Sequence, residues 1–397
     1  MNRQRPTRVQ ALAGIGVDRV GALAGKAGDK STGLRLENLD TDIPPNPIVQ
    51  KITSQATTSS EDNSYLPFSG QLELRQTAAA HVSRMTGNVV DYNGKDSCVI
   101  TAGGLSGIFN ALLTTIEPGD GVLMTDPTYG GLINRVKLAG GVPVFVALEF
   151  QPGGLWKLDR QKLRQALETA KVKVTAMLLM SPGLPTGHYF EWRDWEVVAE
   201  LCTKYDLLLL YDTAFERLLF DGRVVVHPAS FPGMAERTLT IGSASKELRM
   251  IGWRVGWIVG PKWIMSDLLL VGMANVVTPV GITQKAVQAA LERSEEDVPD
   301  FAKELQARRD LLIEELRGLP FGVPAGGWSL IVRVDSLGWT GNDASVALAR
   351  EGIFVTPMDG WGEAHGSQYF RIVFANESRE RLRGIGAKIR ATLEVNG

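Results

Sequence analysis

Ser243-Ala244-Ser245-Lys246-Glu247-Leu248-Arg249-Met250-Ile251-Gly252-Trp253-Arg254-Val255-Gly256 decides the reading of this chain. The preceding Arg237-Thr238-Leu239-Thr240-Ile241-Gly242 reads as a short strand, so the quoted stretch starts where a strand ends. Lys246 has a hydroxyl three positions before it, at Ser243, and an arginine eight positions after it, at Arg254. Gly252 and Gly256 bracket that arginine and let the backbone come close to whatever it holds. A primary amine beside hydroxyl and guanidinium groups suits covalent capture of an aldehyde that carries a phosphate. A Ser-x-Ser-Lys alone is more often a strand end with a surface lysine, so the reading depends on what the rest of the chain supplies.

The chain has 397 residues, enough for one large domain with a smaller one attached. At 44% hydrophobic and 22% charged residues its composition is that of a soluble globular protein. A net charge of −2 offers no basic field for nucleic acid or an anionic membrane. Two cysteines, Cys98 and Cys202, lie in apolar surroundings and are too few for a disulfide framework, which points to a reducing cytoplasm. None of the four histidines has metal-ligand spacing with another, so no metal is expected. No apolar run reaches transmembrane length, and the basic N-terminus lacks the apolar core of a signal peptide.

Residues 1–46 read as an arm, modestly helical from Thr7 to Leu23, followed by a proline-rich extended crossing segment that joins a small domain. From 47 to 280 strand and helix alternate. The strands at Ser97–Thr101, Val122–Thr125, Val144–Leu148, Val174–Met180, Leu207–Asp212, Thr238–Ile241 and Val255–Val259 are nearly all apolar. Such a pattern predicts a mostly parallel sheet sandwiched by helices, with ligands beyond the carboxyl ends of the strands. Residues 281–397 predict a smaller α+β domain, with strands at Ser329–Val334, Phe354–Thr356 and Tyr369–Phe374 and a last helix from Glu380 to Leu393.

Several of the predicted strand ends carry chemistry. Thr101-Ala102-Gly103-Gly104-Leu105-Ser106-Gly107 joins a strand to a helix, a place where free N–H groups bind phosphate. Leu208-Leu209-Leu210-Tyr211-Asp212 ends an apolar strand in an acid, costly to bury without a partner. Arg371 interrupts the apolar run Tyr369-Phe370-Arg371-Ile372-Val373-Phe374, and its fork suits a carboxylate. Asp126-Pro127-Thr128-Tyr129, Ser181-Pro182-Gly183-Leu184-Pro185-Thr186-Gly187 and Tyr65-Leu66-Pro67-Phe68-Ser69-Gly70 complete the set.

Taken in order from about residue 36 to 395, these segments resemble the class I/II aminotransferases, fold-type I enzymes that use pyridoxal 5′-phosphate (PLP). The resemblance implies that Lys246 forms a Schiff base with PLP and takes the substrate Cα proton. It implies that Asp212 pairs with the pyridine nitrogen and that Tyr129 stacks on the ring. Gly104 and Leu105 (by their backbone), Ser243, Ser245 and Arg254 would hold the phosphate, with Tyr65 reaching it from the other subunit of a homodimer. Arg371 would grip the substrate carboxylate, with Leu39 and Trp328 on the substrate side.

The match departs from the family at two positions. Where the family has an asparagine and a tyrosine on the cofactor's phenolic oxygen, this chain has Leu184 and Phe215, which offer no polar atom there. The implied reaction is transfer of an amino group between an L-amino acid and a 2-oxo acid. Leu184 and Phe215 keep open another PLP-dependent reaction on an amino acid, of lyase, decarboxylase or racemase type, and a non-catalytic PLP-binding relative is a further alternative. Phe68, Leu184, Phe215 and Trp361 favour an aromatic or bulky apolar substrate.

Overall fold

The computed structural model describes residues 5–17, 20–21 and 33–394. Its centre is a seven-stranded sheet. In chain order, after a two-residue strand β1 (Leu34–Arg35), come β2 (Cys98–Thr101), β3 (Gly121–Asp126), β4 (Val142–Ala147), β5 (Val174–Met180), β6 (Leu208–Asp212), β7 (Thr238–Ser243) and β8 (Gly256–Val259). The spatial order is β2-β8-β7-β6-β5-β3-β4. The pairs among β3 to β7 are parallel, and β8 runs antiparallel to both its neighbours. Every residue of β2, β3 and β8 is buried, as are nearly all of β5 to β7. Each large apolar side chain so covered stabilises the fold by ~1.5–3 kcal/mol, which is why these strands read as continuous apolar runs rather than alternating ones.

Because β8 is antiparallel to both β2 and β7, those two point the same way, and the carboxyl ends of β2, β3, β5, β6 and β7 share one edge. The register places Gly256 between Thr101 on one side and Ser243 on the other. A Cβ at Gly256 would lie 2.6–2.7 Å from Gly104 N, Gly103 C and Gly242 O. Only glycine lets the three backbones meet there.

The second sheet is built from β9 (Ser329–Arg333), β11 (Thr356–Pro357) and β12 (Tyr369–Val373), in the order β11-β12-β9, all antiparallel. β1 pairs in parallel with β10 (Ile353–Phe354). The crossing segment that follows β1 is tied to β12, to the loop after β7 and to the helix Ser294–Glu315. Leu36 O accepts from Val373 N (2.8 Å), Pro44 O accepts from Arg249 Nε (2.9 Å), and Asp42 pairs with Arg308 (2.6 Å).

Three expectations are corrected. The run Phe354–Thr356 is not one strand: Ile353–Phe354 serves β1, Thr356–Pro357 serves β12, and Val355 lies between. The last helix breaks into Arg379–Leu382 and Ile385–Thr392, because Gly384 adopts φ +78° between them. The arm's helical run is interrupted: Thr7–Gln10 is helical, residues 11–16 (with Gly14 and Gly16) are not, and Val17, Val20 and Gly21 are helical again; residues 18, 19, 22 and 23 of that expectation lie outside the described residues. No helix among the described residues is long and apolar enough to cross a membrane.

Candidate active site

A cavity of about 720 Å³, counted to its open mouth, lies at the shared strand edge. It brings together Leu39, Gly104, Leu105, Tyr129, Leu184, Asp212, Phe215, Ser243, Ser245, Lys246 and Arg254, all of them singled out in the sequence. Met180, Ala214 and Ile251 also line it, apolar residues to which the sequence reading gave no role. Tyr65, Trp328 and Arg371, expected at the cofactor or substrate, do not line it, and neither do Phe68 and Trp361, two of the four residues behind the apolar-substrate expectation.

Its anion-binding end is cationic. Gly103, at φ +90°, caps the helix Gly104–Thr115, whose first N–H groups have no intrahelical acceptor by position. A Cβ at Gly103 would lie 2.5 Å from Arg254 Nη2, so this glycine leaves room that a side chain would fill. Arg254 Nη1 donates to Ile251 O (2.7 Å) and to Ser245 Oγ (3.3 Å), and Ser243 Oγ accepts from Ser245 N (3.2 Å). Helix N-terminus, two hydroxyls and a guanidinium converge as anion ligands do.

Lys246 lines the same cavity. Its Nζ donates to Leu39 O (2.7 Å) and lies 4.7 Å from the centre of the Trp328 ring. Trp328 is thus beneath the amine, edge-on to Phe215 at 5.7 Å, rather than in the cavity wall. Burial pulls the amine down from 10.5 to about 7; Asp40 opposes this, while Arg371 and Arg254 reinforce it. Asp212 ends β6 with Oδ1 accepting from Ala214 N (3.0 Å). Burial pushes its carboxyl up from 3.8 to about 7, against the pull of that N–H and of Arg135. Arg135 was missed in the sequence. It donates to Leu105 O (2.9 Å) and Gly131 O (2.8 Å) behind the glycine turn, and its only signal was a cation among Leu132, Ile133 and Val136.

These two groups make the ligand-free chain's stability depend on pH in opposite senses. Between about 4 and 7 the folded Asp212 keeps a proton that the unfolded chain has lost, so stability falls as pH rises. Lys246 is charged in both states below about 7, with its full burial penalty; from there toward 10.5 the folded amine is neutral while the unfolded one is not, so stability rises. Each limb is worth on the order of 4 kcal/mol. Urea unfolding across this range is expected to show Asp212→Asn flattening the falling limb and Lys246→Met the rising one. Unchanged limbs in the variants would remove the assignment.

Arg371 lies in β12 and is wholly buried. Its Nη2 donates to Glu37 O (2.7 Å) and Thr356 Oγ1 (3.1 Å), and its guanidinium sits 4.8 Å from the Trp361 ring centre. Nε and Nη1 find no partner among the described residues. Burial lowers its pKa to about 10, with Tyr129 and Glu37 opposing, so it remains a cation at neutral pH. Tyr129 is edge-on to the same Trp361 at 5.3 Å. Tyr65 is 80% exposed, on a loop away from this chain's own cavity. Tyr189 is engaged elsewhere, its hydroxyl donating to Val224 O (2.7 Å), so it does not compensate for Leu184 and Phe215.

An amine drawn down to about 7, a buried carboxyl and an anion cradle lining one cavity define a site for capturing a phosphorylated carbonyl compound. Residues 34–389 match the aminotransferase class I and II family, and the chain belongs to it. That family comprises PLP-dependent enzymes of fold type I, which move an amino group between an amino acid and a 2-oxo acid. The chain is 31% identical over 312 residues to kynurenine–oxoglutarate transaminase 3 of Bos taurus, covering 75% of this chain and 68% of that one. It is 31% identical over 320 residues to aromatic-amino-acid aminotransferase 2 of Thermococcus litoralis, covering 78% and 79%. The solved N-succinyldiaminopimelate aminotransferase of Mycobacterium tuberculosis superposes with a TM-score of 0.89 at 27% identity, over 98% of this chain and all of that one.

Proposed function

We propose that this chain holds PLP through Lys246 and uses it to move the amino group of an aromatic or bulky apolar L-amino acid to a 2-oxo acid. The observation that carries the reading is the buried Lys246 amine, titrating near 7, facing the same cavity as the buried Asp212 carboxyl and the glycine–arginine cradle. The residues fit the cofactor point by point. Gly104, Leu105, Ser243, Ser245 and Arg254 receive its phosphate, Lys246 its aldehyde carbon and Asp212 its ring nitrogen. When bound, the protonated ring supplies an electron sink for the bond broken at Cα.

Asp212, as a carboxylate, holds the proton on that nitrogen; without a cation its buried charge is costly, which is what lifts its pKa. Tyr129, which lines the cavity, would stack on the ring. Arg371 turns two unpartnered N–H groups on a substrate carboxylate and fixes which Cα bond faces Lys246. Lys246 Nζ, neutral for about half the time at pH 7, is a base matched to removing the Cα proton. Leu184 and Phe215 keep water and polar side chains from that side. In this reading residues 47–280 carry the cofactor, and 281–397 with the crossing segment 1–46 carry the carboxylate grip.

The apolar lining favours the bulky donor, and the relatives named for kynurenine and aromatic amino acids support it. Exposed Tyr65 and Phe68, beside exposed Val276, Val277 and Val280, favour a homodimer in which Tyr65 serves the partner's site. Buried, unpaired Cys98 and Cys202 fit a reducing cytoplasm, which cell fractionation would check.

The test is one turnover. Purified holoenzyme is mixed with single amino acids and no 2-oxo acid, and its visible spectrum and mass in solution are recorded. Expected are a dimer, loss of the visible band and release of one 2-oxo acid per site, faster with phenylalanine than with aspartate. Faster reaction with aspartate removes the donor class; consumption of donor without 2-oxo acid removes transamination.

A further inference from the structure

One buried carboxylate near the site has no role in the account above. Asp126 ends β3, is 1% exposed, and directly precedes Pro127-Thr128-Tyr129. Its Oδ2 accepts from the backbone N–H groups of Glu363 and Ala364, both at 2.7 Å. Thr128 N donates to Trp361 O (2.9 Å), a second tie between the same two segments. Gly362 lies between them at φ +153°, and a Cβ there would collide with Asp126 Oδ1. The carboxylate therefore seats only because position 362 is bare.

The loop pinned in this way delivers one side chain. Trp361 is fully buried, edge-on to Tyr129 at 5.3 Å and 4.8 Å from the Arg371 guanidinium. Its Nε1 donates to Ile15 O (3.2 Å). Hydrogen bonds hold the guanidinium only at Nη2, and the flat Trp361 ring is what lies against the plane that carries the two unpartnered nitrogens.

We propose that Asp126 is a positioning residue that, by capping the Glu363 and Ala364 amides, fixes Trp361 against Arg371 and Tyr129 and so sets how Arg371 meets a substrate carboxylate. This rests on the reading of Arg371 given under Proposed function. Asp126 touches neither substrate nor cofactor in this scheme. Its effect passes through the Trp361 loop, and a misplacement of about 1 Å at a positioning group costs ~10²-fold.

The test measures binding by holoenzyme of unreactive straight-chain monocarboxylates, acetate to hexanoate, from the change they cause in the visible band. Asp126→Ala is expected to weaken binding ~10- to 100-fold while the cofactor stays bound. Asp126→Asn, whose amide oxygen still accepts from both N–H groups, is expected to restore most of it. Trp361→Leu should weaken binding to the same degree, and the double variant Asp126→Ala/Trp361→Leu should be no worse than Trp361→Leu alone. If Asp126→Ala does not fold, Gly362→Ala displaces the same carboxylate and is expected to show the same loss. Affinity in Asp126→Ala (or, in its place, Gly362→Ala) within twofold of the parent, or additive losses in the double variant, overturns the proposal. Carboxylate binding that is indifferent to Arg371→Leu instead removes the reading of Arg371, and this inference with it.

Discussion

Lys246→Ala is expected to fold, to take up PLP only reversibly, and to lose turnover by roughly 10⁴-fold, the upper range for removing a positioned proton-transfer group. Its buried amine touches the Leu39 carbonyl at 2.7 Å and the Trp328 ring at 4.7 Å, and burial draws its pKa down to about 7. Neither contact is needed to hold β7 or β8, whose ladder is backbone, so the loss should fall on chemistry rather than on the fold. Lys246→Arg separates charge from nucleophilicity. It keeps a cation over Trp328 but cannot be neutral at pH 7, so it should be as inactive as the alanine variant. Gel filtration followed by an absorption spectrum reads the attachment, and single-turnover kinetics read the rate. Activity within tenfold of the parent in either variant would falsify the role given to Lys246.

Arg371→Leu should lower kcat/KM by ~10²- to 10³-fold, the size of losing a buried charged hydrogen-bond partner, and leave the cofactor's visible band in place. The structure separates two uses of this residue. Nη2 serves the fold through Glu37 O and Thr356 Oγ1, whereas Nε and Nη1 serve nothing among the described residues. Buried donors left so are costly until something completes them. Arg371→Lys retains the charge without the fork and is expected to recover little. If Arg371→Leu kept parental kcat/KM, the residue would be a strut between the crossing segment and β12 and nothing more.

The large sheet was legible because both its faces are covered. Burial on both sides makes β3, β5 and β6 apolar throughout, a pattern that needs no neighbour to be recognised. The motif residues at strand ends were legible for a related reason: a charge or a bare glycine where an apolar run stops is anomalous by itself. Partnership between distant segments was not legible. Nothing in Cys98–Thr101 says that it pairs with Gly256–Val259, and nothing in Leu39 says that its carbonyl receives Lys246. Arg371 was picked out as a misplaced charge, yet its contact with the Trp361 ring depends on a loop held by Asp126. Asp126 itself was read only as the first letter of a motif, since an acid whose partners are backbone amides leaves no trace in their sequence. Val355 parts two short strands because each half belongs to a different sheet, and periodicity reports which face is buried, not what lies across from it.

The meeting of backbones at Gly256 has a meaning for descent. Where two side chains clash, a change in one can be answered by a change in the other. Here any Cβ would strike Gly104 N, Gly103 C and Gly242 O, and main-chain atoms have no alternative versions for inheritance to try. Position 256 is thus closed to gradual drift.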